Sequence, residues 1–521
     1  MFCSRIIRRH TSGSVVVSAN KLCSRPRAAG WPKPRPTSSR PKTHGNSYTA
    51  RPSRHPPSPM PIMIALLNYR LGFANDVNKM YYSTSLYTTV TESKKVSIVM
   101  KPEFDFNELF DDKNIKKLEE SISKRKLNFN LNKLIYLWEK LKDVEDNMNF
   151  LKSKREMLKE EAKKFSKLNI KPEDGNYRTD GKRVRENLKK AKALYNSLSE
   201  ELYISTLQLP NILHPDTPSK DMVIEVKGEK PQFIKNHVQF GSENHLLSYN
   251  HDVVHPGTCY LHSDLALLEM ALQRWMTDAL IKKGFTRFSS PDMYKPIALE
   301  AYGVDITNPE QVFTVLTSDS NMYLTGVSSA AFAAYYMMAV LEYSELPQRC
   351  FSVGTYYDAT KDFKSFTGLH NLMQRKQIEI GCLCHTDSEE DVFKQIVTTL
   401  FDLYSKLPLQ LRLVEVSVQD FLPSMYRKQA IEVWLPSTQE YHEVASVYSC
   451  RDYVSRRLKI RYPADSKQTA ALSRKRLHAH TIHGTAVQIP VLLAVLLESC
   501  QSENNSFVIP AELKEFVPKA V

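Results

Sequence analysis

RCFSVGTYYDATKDFKSFTGLHNLMQRKQIE, residues 349–379, is the stretch on which the fold of this 521-residue chain turns. CFSVGTYY is dense in aromatic and β-favouring residues, and KQIEIGCL starts a second such run after a turn at Thr367-Gly368. The pattern predicts two strands joined by a polar loop. Laid on a sheet, such a hairpin could cradle a nucleotide, provided fixed positive charge faces the phosphates. The position where that charge is expected holds Asp358.

The chain is long enough for two or three domains. Hydrophobic content of 42% and charged content of 25% are those of a soluble globular protein. No apolar run reaches the roughly 18 residues of a membrane span. Eight cysteines are scattered without a repeated C-x-x-C pair. Cys382, Cys384 and His385 cluster, but the second half of a zinc site is missing, so they read as strand residues and no metal is expected. Such cysteine usage fits a reducing compartment.

The net charge of +14 is unevenly placed. No acidic residue precedes Asp76, while thirteen Lys or Arg do, in a segment rich in Ser and Pro. An Arg- and Ser-rich, acid-free N-terminus has the composition of a mitochondrial presequence. Residues 1–90 are therefore expected to be a matrix-targeting segment and basic linker.

A two-helix arm is expected within 91–210. Leu134, Leu137, Leu141, Val144, Met148 and Leu151 alternate steps of three and four, extended by Leu158, Ala162 and Phe165; Val184, Leu188, Ala191, Tyr195, Leu198 and Leu202 do the same. These spacings predict an antiparallel coiled-coil hairpin, broken by Pro172, Gly175 and Gly181, with a second helix of about 24 residues. Residues 113–203 hold 24 Lys or Arg against 15 Asp or Glu. A basic arm on a body that is otherwise slightly acidic suits a phosphate backbone. Lys152, Lys154, Arg155, Lys182, Arg183, Arg185, Lys189 and Lys190 are the residues expected to touch RNA.

LQLPNILHPDTP, residues 207–218, ends the helix with three prolines. A basic coiled coil followed by LPNILHPDTP closely resembles the seryl-tRNA synthetases, a class II aminoacyl-tRNA synthetase family. The resemblance runs in order through Gly257–Pro291 (the first class II motif), IEVWLPSTQEYHEVASVYSCRDYVSRR at 431–457, HGTAVQIPVLLAVLLE at 483–498 (the third motif) and SFVIPAELKEF at 506–516. It covers about residues 115–517. It implies an α+β fold in which a class II antiparallel sheet flanked by helices fills 211–521, preceded by the coiled-coil arm. It also implies dimers built on the first motif, whose helix Leu265–Ile281 carries the stripe Leu265, Leu268, Leu272, Trp275 and Ala279.

The family activates serine with ATP and passes it to the tRNA terminus, and several residues that the resemblance assigns to this chemistry differ here. Tyr357-Asp358-Ala359-Thr360 replaces the second motif's F/Y-R-x-E, and Arg375 replaces the aromatic ring that stacks on adenine. Pro490 and Val491 replace the third motif's Gly-Arg, Val327-Ser328-Ser329 replaces a Thr-Ala-Glu triplet, and Cys259 replaces an arginine. Glu379, Glu443, Ser446, Asp452, Arg456 and Arg457 match the family. Asp358, Thr360, Arg375, Glu379, Glu443, Ser446, Val491 and Ser329 thus outline a vestigial ATP and serine pocket. One arginine at a transition-state charge is commonly worth roughly 10²–10⁵ in rate. The expectation is therefore a non-enzyme without cofactor, close to catalytically degenerate mitochondrial seryl-tRNA synthetase-like proteins. It would pair with the catalytic mitochondrial seryl-tRNA synthetase or with itself, bind RNA (tRNA before others), and support mitochondrial translation. A divergent active seryl-tRNA synthetase and a stand-alone nucleic-acid-binding protein are the alternatives.

Overall fold

The computed structural model describes residues 86–87, 100–167, 176–249, 252–317, 321–360, 365–465, 467, 475–502 and 504–518. The chain divides into units Met1–Asn75 and Asp76–Val521, and the described residues all fall in the second. Apart from Leu86 and Tyr87, the targeting segment and linker expected at 1–90 lie outside the described residues.

Eight helices carry the layers: α1 (Asp112–Lys124), α2 (Leu131–Lys167), α3 (Asn176–Leu207), α4 (Ser263–Lys282), α5 (Ser329–Tyr336), α6 (Glu389–Tyr404), α7 (Tyr453–Leu458) and α8 (Ile489–Ser499). The main sheet has eight strands: β1 (Met222–Lys227), β2 (Thr286–Phe288), β3 (Gln348–Tyr357), β4 (Gln374–Cys384), β5 (Leu411–Glu415), β6 (Arg427–Leu435), β7 (Glu440–Arg451) and β8 (His480–Gln488). Their order is β1-β5-β6-β7-β8-β4-β3-β2. Every neighbouring pair is antiparallel except β2 with β3. This is the α+β architecture expected from the sequence. Among the described residues no helix is long and apolar enough to cross a membrane.

Helices α2 and α3 form the arm, 37 and 32 residues long. An isolated helix with these exposed surfaces is marginal, so packing of its apolar stripe must hold it. At the base, Leu134, Leu137, Leu141 and Leu202 are buried with Leu118 and Ile122 of α1. Farther out, Leu151, Val184 and Ala191 form a separate small core with Met148, Leu158 and Leu188 packed against it. Ala162 is exposed, so the apolar stripe does not pack that far. The expected second helix is too short by a full turn and more. Gly181 lies inside α3 rather than breaking it, because the cost of one helical glycine, about 1 kcal/mol, is offset by packing on α2. Pro172 and Gly175 lie outside the described residues.

Arg125 and Asn211 tie the arm's base to the body. Arg125 donates to the carbonyls of Leu422 (3.0 Å) and Met425 (2.6 Å), and the Asn211 amide donates to those of Ser424 (2.8 Å) and Cys450 (2.9 Å).

The largest core lies between the sheet and helices α4, α6 and α8. Helix α8, IPVLLAVLLES, is apolar all round and buried from Ile489 to Glu498, as such a helix must be. Leu265, Leu268, Leu272 and Trp275 of α4 also face inward, Trp275 meeting Tyr404 edge-on at 5.8 Å. The stripe expected to supply a dimer face is thus consumed within the chain. Exposed apolar surface lies instead at Met270 and Ile281 of α4 and along the sheet edge, where Met222, Val223, Ile224 and Val226 of β1 are all exposed. That exposure reflects β1's position as the outermost strand.

Candidate functional site

Strands β3 and β4 form the expected hairpin, paired from Gln348↔Leu383 to Tyr357↔Gln374. The loop between them is pinned from below. The Leu369 N–H donates to His237 Nε2 at 3.0 Å, and His237 Nδ1 meets the Glu498 carboxylate at 2.6 Å. Glu498 also accepts from the Ser437 N–H at 2.8 Å. Burial works against this carboxylate's charge, but the His237 hydrogen bonds outweigh it and hold its pKa below the ordinary value. Gly368 permits the close approach: its φ is +131°, and a Cβ there would sit 2.4 Å from His237 Nε2.

The hairpin forms one wall of a cleft of about 580 Å³. Thr258, Cys259, Glu269, Thr355, Arg375, Lys376 and Pro490 line it. Lys376 donates to the hydroxyl of Thr355, directly across the ladder, at 2.8 Å. Burial raises the Glu269 carboxyl above its ordinary pKa and pushes the Cys259 thiol up to about 12.

Asp358 is 6% exposed and does not confront the cleft as a bare negative charge. Its carboxylate accepts from Arg375 at 2.9 Å, from the Thr360 N–H at 3.0 Å and from the Thr360 hydroxyl at 2.5 Å. Burial pushes this carboxyl up, but Arg375 and Thr360 together bring it below the usual range. The Arg375 guanidinium also lies 4.5 Å from the Tyr356 ring centre. Asp358 thus carries its own counter-charge, Arg375. Register explains it, since Tyr356 pairs with Arg375 and the chain turns over that residue just beyond, at Asp358.

Glu379 lies deeper on the same strand, opposite Thr485, whose hydroxyl donates to it at 3.0 Å. Burial is the largest influence on Glu379 and raises its pKa well above the ordinary value. Glu443 pairs with Lys428 at 2.7 Å. Burial alone would lower Lys428, yet Glu443 raises it above the usual lysine value. Ser446 is buried on β7, where its carbonyl approaches Gly484 so closely that a Cβ would lie 2.0 Å away. Ser329 opens α5, while Val491 is buried in the core within α8 and does not line the cleft. The structure thus brings Asp358, Thr360 and Arg375 together, pairs Glu443 with Lys428 and buries Val491 in the core. Lys376, Thr355 and Glu269 are cleft residues that the sequence reading passes over. Alternation along KQIE, with Lys376 two residues beyond Gln374 and opposite Thr355, is the signal that marks the first two.

On the arm, Lys152, Lys154, Arg155, Lys182, Arg183, Arg185, Lys189 and Lys190 are all exposed. Arg155 pairs with Glu156 at 3.0 Å. Among the described residues the other seven make no ion pair. Leu151 and Val184 share one core, which sets the basic run 152–155 beside 182–185 at the same level of the arm.

Comparison with known proteins agrees with this architecture. Residues 313–500 match the tRNA synthetase class II core domain (G, H, P, S and T). The chain is 27% identical over 404 residues to the mitochondrial serine–tRNA ligase of Mus musculus, covering 74% of this chain and 77% of that protein. It is 26% identical over 429 residues to the serine–tRNA ligase of Borreliella afzelii, covering 77% and 96%. Among solved structures, the Pyrococcus horikoshii seryl-tRNA synthetase complexed with ATP superposes with a TM-score of 0.72 at 20% identity, over 80% of this chain and 98% of that one. The Naegleria fowleri cytoplasmic enzyme in complex with AMP gives 0.71 at 18%, over 80% and 97%.

Sheet order, cleft and matched core together define a class II aminoacyl-tRNA synthetase fold. With the arm and the extent of the sequence match added, the chain is similar over about three quarters of its length to seryl-tRNA synthetases. That similarity overturns the expectation of a non-enzyme: the relatives matched are named serine–tRNA ligases.

Proposed function

We propose that this chain serves mitochondrial translation as a seryl-tRNA synthetase-family protein that holds tRNA on its basic arm and works as one half of a dimer. The partner is the mitochondrial serine–tRNA ligase or a second copy of the chain. The organisation proposed is a targeting segment and linker over 1–90, the arm within 91–210 and the synthetase-like body over 211–521. The observation that carries the reading is the arm: two helices of 37 and 32 residues whose two basic runs meet at one level and stand largely without ion-pair partners among the described residues. Cations without protein partners are free to displace the counterions of a phosphate backbone. The mitochondrial names of the mouse and bovine relatives, with the acid-free N-terminal composition, support the matrix as the setting. The exposed apolar edge at β1 is the surface offered for pairing, since the α4 stripe is used internally.

The test is filter binding of a mitochondrial serine tRNA over a salt series, with Lys182, Arg183 and Arg185 each changed to Glu. Binding is expected to weaken and the slope of log K against log salt to flatten by about 2–3, at roughly 0.7–0.9 for each phosphate no longer neutralised. Unchanged affinity and slope would move the RNA site off the arm. For pairing, the tagged chain is recovered from matrix extract. Absence of the mitochondrial serine–tRNA ligase, together with a monomeric mass in solution, refutes the dimer.

A second reading, ATP-dependent joining of serine to tRNA by this chain itself, is favoured by the names of its relatives and by the Lys376 cation at the cleft. Serine-dependent exchange of pyrophosphate into ATP is its assay. Exchange at the level of the buffer control excludes it.

A further inference from the structure

The two sides of the arm are unlike. In its outer half α2 packs through Met148, Leu151 and Leu158, and α3 through Val184, Leu188 and Ala191. The residues one place after these core positions are Asn149, Lys152, Lys159, Arg185, Lys189 and Lys192, five cations and one amide, all exposed. The residues one place before them are Asn147, Phe150 and Met157 on α2, and Arg183, Asn187 and Lys190 on α3. Leu194, one place before Tyr195, continues the second row, and Lys154 falls on the first, four places beyond Phe150 and three short of Met157. In an antiparallel pair, positions one place before the core share one side of both helices, because reversing the chain and turning its apolar face round each invert the sense of rotation.

That side carries apolar groups the arm does not use for packing. Phe150 is 66% exposed, Met157 61% and Leu194 50%. Helix propensity does not call for a phenyl ring in water, since lysine or glutamate serves better there. The rings of Tyr136 and Trp138, nearer the base of α2, are covered by Lys140 and Lys142 at 4.7 and 4.8 Å. Among the described residues no cation or second ring covers Phe150. Leu151 packs in one cluster with Val184 and Ala191, so the adjoining Phe150 stands at the level of Arg183–Lys190.

The company of this ring decides what fits it. Lys154, Arg183 and Lys190 interleave with the apolar side chains, Asn147 and Asn187 add exposed amides, and no acid stands among them. Interfaces with proteins are depleted of lysine at their centres, whereas a nucleobase needs a flat apolar face with cations beside it for its phosphates. We propose that this side of the arm is a stacking platform for unpaired RNA bases, with Phe150 as the ring on which a base lies, Met157 and Leu194 flanking it, and Lys154, Arg183 and Lys190 on the adjoining phosphates. The opposite side, basic without apolar groups, offers contacts to the backbone alone.

The proposal rests on the arm as the RNA site. An oligoadenylate of about ten nucleotides is titrated into the full chain by fluorescence anisotropy, beside a blunt RNA duplex of the same length. Phe150→Ala should weaken the single strand by between about fivefold and a hundredfold, the worth of one stacked base, and leave the duplex, whose bases are already stacked, unchanged. Phe150→Trp should keep the single-strand affinity. The ring is outside the core, so both variants should retain the helical circular dichroism of the parent. Lys182→Glu should weaken single strand and duplex alike. If it does so while Phe150→Ala changes neither, or weakens both equally, the stacking platform is refuted and the arm remains the RNA site. If neither form of RNA binds the unaltered chain, both readings fail.

Discussion

Asp358→Ala is the most informative single change to this chain. The Asp358 and Arg375 side chains are 8% and 14% exposed and meet at 2.9 Å. Removing one member of so buried a pair strands the other charge, at a cost of about 3–5 kcal/mol. At roughly 2–4 °C per kcal/mol, the melting temperature should fall by roughly 6 °C or more. Arg375→Ala should cost a similar amount, since it leaves the carboxylate buried with only Thr360 to hold it. The double variant should cost less than the sum of the two by about 2–3 kcal/mol, because no stranded charge remains. The pair also predicts a pH dependence. The pKa of Asp358 is depressed in the fold, so its contribution is present above the unfolded value, near 3.8, and is lost as pH falls through the lower folded value. Asp358→Ala should therefore flatten the acid limb of the stability curve. The cleft gives an independent readout. With Asp358 gone, Arg375 is free to face a phosphate, and ATP affinity should rise about tenfold. Thermal unfolding of the four proteins of the cycle and calorimetric titration with ATP are the assays. A coupling energy near zero, or an Asp358→Ala melting temperature within error of the parent, would refute the claim that this pair holds the hairpin loop.

Two further outcomes can be checked. Glu498→Gln should weaken the fold above the acid range and leave it less sensitive to acid, because the depressed Glu498 pKa means stability gained above an unfolded value near 4.5 and lost as pH falls through the folded one; urea unfolding from pH 3 to 7 measures it, and an unchanged acid limb would count against it. Gly326→Ala should unfold or severely destabilise the body, because φ is +67° there and an added Cβ would lie 1.7 Å from the Thr355 carbonyl oxygen; circular dichroism of a well-expressed, native-like Gly326→Ala protein would contradict it.

What was legible in the sequence followed from periodicity and from ordered motifs. The steps of three and four through Leu134–Leu151 and Val184–Leu202 mark residues that do pack between α2 and α3. The aromatic and β-branched run CFSVGTYY is a strand, and the unbroken apolar IPVLLAVLLE is a buried helix. These readings need only local geometry, because helix and strand periods place side chains on faces before any partner is known. Charge placement is equally legible, since it depends on composition alone: the acid-free N-terminal segment and the basic arm are visible without coordinates.

How those faces and charges are used depends on the packed chain. The α4 stripe has the same spacing whether it packs on another chain or on its own, and only the position of α8 and the sheet turns it inward. Gly181 reads as a breaker by propensity and is overruled by the packing of α3 on α2. Asp358 reads as a repulsive charge until the register of β3 on β4 brings Arg375, 17 residues away, to its side. His237 and Glu498 are 261 residues apart, and Arg457 lies within reach of carbonyls some 250 residues earlier. Residue order alone specifies which segments form elements, which faces are apolar and where net charge lies. Which charges neutralise one another and which stand unpaired is set by the fold, because that depends on distances between residues far apart in the chain, and only the packed chain sets those distances.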